Sequence, residues 1–490
     1  LLGRIYLESG DAVAAEQELM RARDAGADDV ATRVGLIEAL LAQGQASRAL
    51  EWAEPPANAT SKERADLLAL RGSVLLSQGQ EADAAKAFSA AVDADPTALR
   101  AMLGIATLEL RRGDTDAARA SVRQAIETHP EAADAWQALA LLEKLSQNPE
   151  AAIDALTEAL KHARSKWPIH YQRAELHLDQ QNLESAAADM EAIRQEQARL
   201  PGLQYLGGRL ALLEGDNAAA AEQLEGFLRI APSNPRAIYY AALALSRIDR
   251  NAQAEAYLLR LTSAQPDNAA ALTLLARTRL AQGNAAGAEA AIRPVAETDD
   301  ASLLAMELLR QALVQQGRTA DAEAVVARAA RRFPELTATQ LAYARQMQQS
   351  GDYAGSIELL HRVVEAEPDN ERARMLLVRA HLAAKENEAA MAAAEDFLAQ
   401  APQSPMAHTV KAALLAQQND LDGARAAFGK ALELDPTFGR AAMALAALEL
   451  GTQRRDEARQ TLDNLLAADP DNMDVALARA AMARGDGGAK

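Results

Sequence analysis

A 34-residue spacing runs through this chain and decides what it can fold into. Gly79, Gly113, Gln147, Gln181, Gly215, Asp249, Gly283, Gly317, Gly351, Lys385, Asn419 and Gln453 stand in one unbroken register. Gly10 and Gly44 extend it upstream, with one extra residue between Gly44 and Gly79. Five residues after each of these fourteen markers comes alanine thirteen times and serine once, at Ser356. Composition alone cannot produce that regularity. A fixed period of this length describes a stack of small units, each of which buries its apolar face only against its neighbours.

Within one period, apolar residues from Thr337 to Gln349 fall at helical spacing, Ser350, Gly351 and Asp352 interrupt, and a second helical run covers 353–366. Glycine at the marker suits the left-handed end of the first helix, and the Asp, Asn or Gln after it can cap the second. Nine of the fourteen units carry proline seventeen residues past the marker, from Pro96 to Pro470, where it is expected to stop the second helix and open the next. Seven residues before the marker the side chain is usually very small, as at Gly72 and Ala344, and nine after it mainly large and apolar, as at Phe88 and Leu360. The small residue lets two helices approach, and the large one fills the space between them.

Small at the eighth position, Ala at the twentieth, apolar at the twenty-fourth and Pro at the thirty-second resemble the tetratricopeptide repeat over essentially the whole chain. The resemblance implies an all-α protein: a right-handed α-solenoid of about fourteen helix-turn-helix units over residues 1–490, with about 28 helices and no strand. Ile37, Arg310 and Val378 replace the small residue, and Arg164, Ala198 and Asp300 replace the proline. Altered helix ends are expected at those units. The irregular stretch 55–62 reads as a kink in the stack or as a separator of two subarrays; the Asn58–Thr60 sequon within it reads as chance. The chain opens at Leu1 inside a helix and closes on an unpartnered helix from about Asn472 to Arg484. It is therefore expected to be a piece of a longer array, with any signal peptide, lipid-attachment site or further domain outside it.

Only 3% of residues are aromatic, which suits a thin stack packed by alanine and leucine. A formal net charge of −18 argues against whole-surface attraction to DNA, RNA or anionic lipid. No apolar run is long enough to span a membrane. The absence of cysteine removes disulfides, thiolate metal sites and cysteine nucleophiles, without choosing a compartment. His170 and His177 flank Glu175, but two helical turns separate the imidazoles, too far for one metal. Asp299 and Asp300 read as a solvated loop pair rather than catalytic carboxylates. No catalytic residue, metal or cofactor is expected, and the chain reads as a binding protein rather than an enzyme.

In the tetratricopeptide family the inner groove uses the second, fifth and ninth positions. Here the fifth gives Tyr171, Tyr205 and Tyr239 in successive units. The ninth gives Arg209, Arg277, Arg345 and Arg379, and the second gives Arg236, Arg372 and Arg440. From Gly202 onward those two positions hold seven arginines and no acid, whereas upstream they hold Arg4 and Arg100 against Glu38, Asp66, Asp134 and Glu175. Such a stripe suits an anion, an acidic peptide or an acidic polysaccharide, because guanidinium forks pair with carboxylates. The alternative is that they pair with acids on neighbouring helices. The lysine and asparagine set by which some members of the family hold an acidic chaperone tail is missing at the fifth and ninth positions.

Two segments, 1–28 (LLGRIYLESGDAVAAEQELMRARDAGAD) and 254–294 (AEAYLLRLTSAQPDNAAALTLLARTRLAQGNAAGAEAAIRP), resemble the bacterial PEP-CTERM system TPR-repeat lipoproteins. That resemblance implies a non-catalytic envelope scaffold linked to exopolysaccharide production or protein sorting, anchored through a lipidated cysteine upstream. A cytosolic peptide-binding adaptor, or the repeat arm of an enzyme such as a glycosyltransferase, remain the alternatives.

Overall fold

The computed structural model describes residues 1–27 and 29–487. Among them are 29 helices and no strand. The chain divides into two compact units, Leu1–Leu261 and Thr262–Lys490.

The first unit holds the pairs α1 (Leu2–Ser9) and α2 (Ala12–Asp24), α3 (Val30–Ala42) and α4 (Ala46–Trp52), α5 (Ser61–Ser77) and α6 (Glu81–Ala94), α7 (Leu99–Arg111) and α8 (Thr115–Thr128). It continues with α9 (Ala133–Leu145) and α10 (Pro149–His162), α11 (Trp167–Asp179) and α12 (Leu183–Glu196), α13 (Gly202–Glu214) and α14 (Asn217–Leu228), α15 (Pro235–Arg247) and α16 (Asn251–Ala264), the last of which crosses the division. The second unit holds α17 (Ala269–Ala281) and α18 (Ala285–Ala296), α19 (Leu303–Gln315) and α20 (Thr319–Arg332), α21 (Thr337–Gln349) and α22 (Tyr353–Ala366), α23 (Glu371–Ala383) and α24 (Asn387–Gln400). The pairs α25 (Pro405–Gln417) and α26 (Leu421–Leu434), and α27 (Gly439–Gly451) and α28 (Arg455–Ala468), precede the single helix α29 (Met473–Gly487).

All fourteen markers lie in the left-handed region, with φ between 58° and 87°, and Gly26 is the one other described residue there. Six markers are not glycine. The turn is thus imposed by the stack even where the side chain disfavours it. The next residue caps the following helix in six units: Asp11, Asp114, Asp216, Asn284, Asp352 and Asp420 each accept the backbone N–H three residues on. Gln45, Gln80, Asn148 and Asn182 make no such bond, contrary to the sequence reading.

The alanine five residues after each marker is buried in every unit, as is Ser356. Ser356 is tolerated because its Oγ donates to Ala344 O at 3.0 Å and accepts from Gln348 Nε2 at 3.1 Å, leaving no orphaned hydroxyl. Phe88 is fully buried between Gly72 of its own pair and Gly104 of the next, where side chains would collide with its ring. Proline does not decide where the second helix stops. α10 and α12 end at His162 and Glu196, at the same point in the repeat as α6 at Ala94, although Arg164 and Ala198 stand where proline was expected. α18 does end early, at Ala296, with Pro294 in its last turn.

At 55–62, α4 is short and a capping box between Thr60 and Glu63 starts α5. Ile37, Ala49, Leu67 and Val74 nevertheless share one apolar cluster across the segment. Among the described residues no helix is long and apolar enough to cross a membrane.

Candidate functional site

The first helix of each pair carries the residues expected on the inner face. In the first unit the tyrosines do not form an open ladder. Tyr205 on α13 is buried, its ring 5.5 Å from that of Phe227 and 6.4 Å from that of Tyr240. Burial pushes its hydroxyl up to about 12. Tyr171 on α11 is half-buried and lies where a Cβ on Gly202 would come within 2.5 Å of its Cε2. Tyr239 on α15 is half-buried and meets Tyr240 edge-on at 5.6 Å.

The forks of the first unit meet carboxylates, although Arg209 Nη1 is buried without a hydrogen-bond partner. Arg209 is buried, donates from Nη2 to Asp179 Oδ1 at 2.5 Å, and lies over the Tyr240 and Tyr205 rings at 5.0 and 5.8 Å. Arg236 reaches Glu175 at 3.2 Å and Asp179 at 3.5 Å. Two carboxylates one turn apart on α11 therefore hold α13 and α15, which is the pairing alternative. Arg209 and Arg236 tie helices together here, and the tyrosine strip expected to receive a ligand is largely consumed by packing. Asp179 and Tyr240 went unnoticed in the sequence because they lie outside the three positions read. The one available signal was the Glu175 and Asp179 pair at helical spacing.

His170 and His177 both face the buried carboxylate of Asp189 on α12. His170 Nδ1 lies 2.7 Å from Asp189 Oδ1, His177 Nε2 lies 3.9 Å from Oδ2, and Arg173 donates to both oxygens at 2.7 and 3.0 Å. Burial holds the His177 imidazole below its usual range. Among the described residues no group of three or more His, Cys, Asp or Glu is arranged to hold a metal ion.

The second unit differs. Among the described residues no carboxylate pairs with Arg277 on α17, Arg345 on α21, Arg372 or Arg379 on α23, or Arg440 on α27. Burial, then the like charges of Arg372 and Arg379, hold the Arg345 guanidinium below its usual range, so these three cations act on one another. Arg440 Nη1 lies 3.9 Å from Met375 Sδ and 4.0 Å from Met406 Sδ. The helices α21, α23, α25 and α27 carry Glu371 and Glu449 as their only acids. Glu449 is buried and accepts from Thr461 Oγ1 at 3.1 Å. Arg345 and Arg379, with Gln348, Tyr353 and Leu376, line an open cleft of about 580 Å³. Three mutually repelling guanidiniums with no carboxylate partner among the described residues make a place where an anion is favoured, and methionines lie beside Arg440 on the same row of first helices.

A family model described as tetratricopeptide repeat matches residues 75–142, 211–278, 347–414 and 415–485, and a second of the same description matches 171–235. No curated protein matches the chain. Among solved structures, a tetratricopeptide repeat protein from Parabacteroides merdae is similar at 18% identity and a TM-score of 0.42, over 52% of this chain and 99% of that one. The APC/C hetero-tetramer Cut9-Hcn1 is similar at 13% and 0.41, over 98% and 95%. Pseudomonas aeruginosa pilF is similar at 22% and 0.38, over 44% and 96%.

Proposed function

The chain belongs to the tetratricopeptide repeat family, and on that premise we propose that it holds an acidic, extended segment of a partner protein on the arginine row of its second unit. Tetratricopeptide repeats indicate a protein-interaction scaffold, and the fold is typical of non-catalytic ones. The observation that carries the finer reading is the unpaired Arg345, Arg372 and Arg379 in a chain of net charge −18. An acidic protein that gathers unneutralised cations at one place spends stability on repulsion there unless an anion relieves it. Met375 and Met406 beside Arg440 favour a peptide, whose side chains bring apolar surface, over a polyuronate, which brings hydroxyls.

Titration with an aspartate-rich heptapeptide and, in parallel, with an oligouronate tests this. The peptide is expected to bind more tightly, with affinity falling as salt rises. Tighter binding of the oligouronate would make the groove a polysaccharide site.

We also propose that the scaffold serves the bacterial envelope, in exopolysaccharide export or PEP-CTERM protein sorting, on the periplasmic side and lipid-anchored. The support is the resemblance of segments 1–28 and 254–294 to that lipoprotein family. The gene upstream of Leu1 tests it. A signal peptide ending in a lipidated cysteine is expected; a bare methionine start would favour the cytosolic adaptor, and an adjoining α/β domain the enzyme arm.

A further inference from the structure

Within the second unit the stacking of first helices is interrupted between α19 and α21, and a pocket opens there. α17 packs on α19, α21 on α23, α23 on α25 and α25 on α27, whereas α19 and α21 make no comparable contact. Two departures from the repeat account for the gap. Arg310 occupies the small position of α19, and its guanidinium turns along its own helix, donating from Nε and Nη2 to Glu307 at 2.7 and 2.6 Å. On α21, Ala342 stands where the neighbouring first helices have Leu308 and Leu376, both buried. Val326 should be clasped between these two positions, as Phe88 is between Gly72 and Gly104; it is only half-buried, and Ala342 is exposed.

The result is a pocket of about 580 Å³, with Met306, Val314, Val325, Val326 and Ala342 among its apolar walls. Two of its polar wall groups are uncommitted. Gln346 Oε1 is buried without a hydrogen-bond partner, so a donor arriving in the pocket would be gained at no competing cost. Arg345 lines this pocket and also the cleft it shares with Arg379. The apolar hole and the cationic row therefore meet at one residue.

We propose that this breach is an anchor pocket for one large apolar side chain of the acidic segment, with the acidic residues of that segment running from Arg345 onto Arg372 and Arg379. The inference rests on the groove reading above and adds a requirement to it: the partner motif is a bulky apolar residue followed closely by carboxylates. A backbone N–H of the bound segment would supply the donor that Gln346 lacks. Leucine stands at the Ala342 position in the adjoining repeats, and the pocket, at about 580 Å³, has room for a side chain of leucine or phenylalanine size together with the backbone that carries it.

Three blocked heptapeptides test it against the full chain by isothermal titration: one with a phenylalanine followed by three aspartates, one with alanine for the phenylalanine, and one with asparagines for the aspartates. The phenylalanine peptide is expected to bind about tenfold or more tighter than the alanine peptide, the usual discrimination of an apolar pocket. Ala342→Leu, which restores the residue type of the neighbouring repeats, should erase that difference and leave the loss on aspartate-to-asparagine exchange intact. Equal binding of the phenylalanine and alanine peptides, with the asparagine peptide still failing, would overturn the anchor and leave the groove reading standing. Undiminished phenylalanine preference in Ala342→Leu would also overturn it. Failure of all three peptides to bind would remove the groove reading and the anchor together.

Discussion

The Phe88 ring closes on Gly104 of the following repeat so tightly that a Cβ at Gly104 would stand 2.3 Å from Cε1. Alanine normally gains about 1 kcal/mol over glycine inside a helix. Here the added methyl meets a fully buried ring with no room to move, and overpacking of this kind costs about 1 to 3 kcal/mol. Gly104→Ala is therefore expected to lower the urea midpoint, against the propensity trend. Adding Phe88→Leu should recover much of the loss, and a double-mutant cycle in which the two changes simply add would contradict this packing.

The non-glycine markers predict the opposite sign. Lys385 holds φ at 64° and Asn419 at 66°, a region that costs most L-residues about 1 to 2 kcal/mol but that asparagine tolerates. Lys385→Gly should stabilise by about 0.5 to 1 kcal/mol, and Asn419→Gly by less, in chemical unfolding of the full chain. Equal effects at the two sites would mean that the turn is not the source of the strain.

Arg209 and Arg236 separate a structural arginine from a solvated one. Arg209 is buried over two rings and tied to Asp179, so Arg209→Ala should cost about 1 to 3 kcal/mol. Arg236 is exposed, and its ion pairs to Glu175 and Asp179 should be worth less than about 1 kcal/mol. Thermal unfolding of the two variants checks the order; a larger loss at Arg236 would place the fold's dependence on the exposed pair.

Glu289 links three elements of the second unit. Arg293 Nη2 donates to it at 2.5 Å, Gln316 Nε2 at 2.7 Å and Arg318 Nη1 at 2.7 Å. The Arg293 bond first, with those of Gln316 and Arg318, holds its carboxyl down at about 2. A carboxyl lower in the folded state than in the unfolded one contributes stability that is complete above the unfolded value, about 4.3, and is lost as pH falls toward 2. Stability should thus drop across that window, and Glu289→Gln should flatten part of the drop. An unchanged slope would show that the bonds do not favour the charged form.

The period alone was enough to locate the turns, because each repeat must present the same left-handed corner to stack, whether the marker is Gly351 or Lys385. The boundaries of α21 and α22 follow from the spacing of their apolar residues for the same reason. The groove was less legible. Arg209 and Arg345 occupy the same repeat position, yet one is buried against Asp179 from the preceding repeat and the other meets no acid among the described residues. That difference lies in a position of a neighbouring unit that a reading of one stripe does not include. The pocket beside Val326 was flagged by Arg310 as a broken position, but its opening also needed the small Ala342 in the next helix.

The central claim is that Arg345, Arg372 and Arg379 hold an anionic segment, and calorimetric titration of the phenylalanine and aspartate heptapeptide into the full chain and into Arg345→Ala/Arg372→Ala/Arg379→Ala tests it most directly. Hydrogen bonds to charged groups contribute about 1.5 to 3 kcal/mol each, so the triple variant should lose measurable binding. Its helicity should be unchanged, because none of the three arginines has a carboxylate partner among the described residues. Retained affinity in the triple variant, with the same dependence on salt as the parent, would contradict the account.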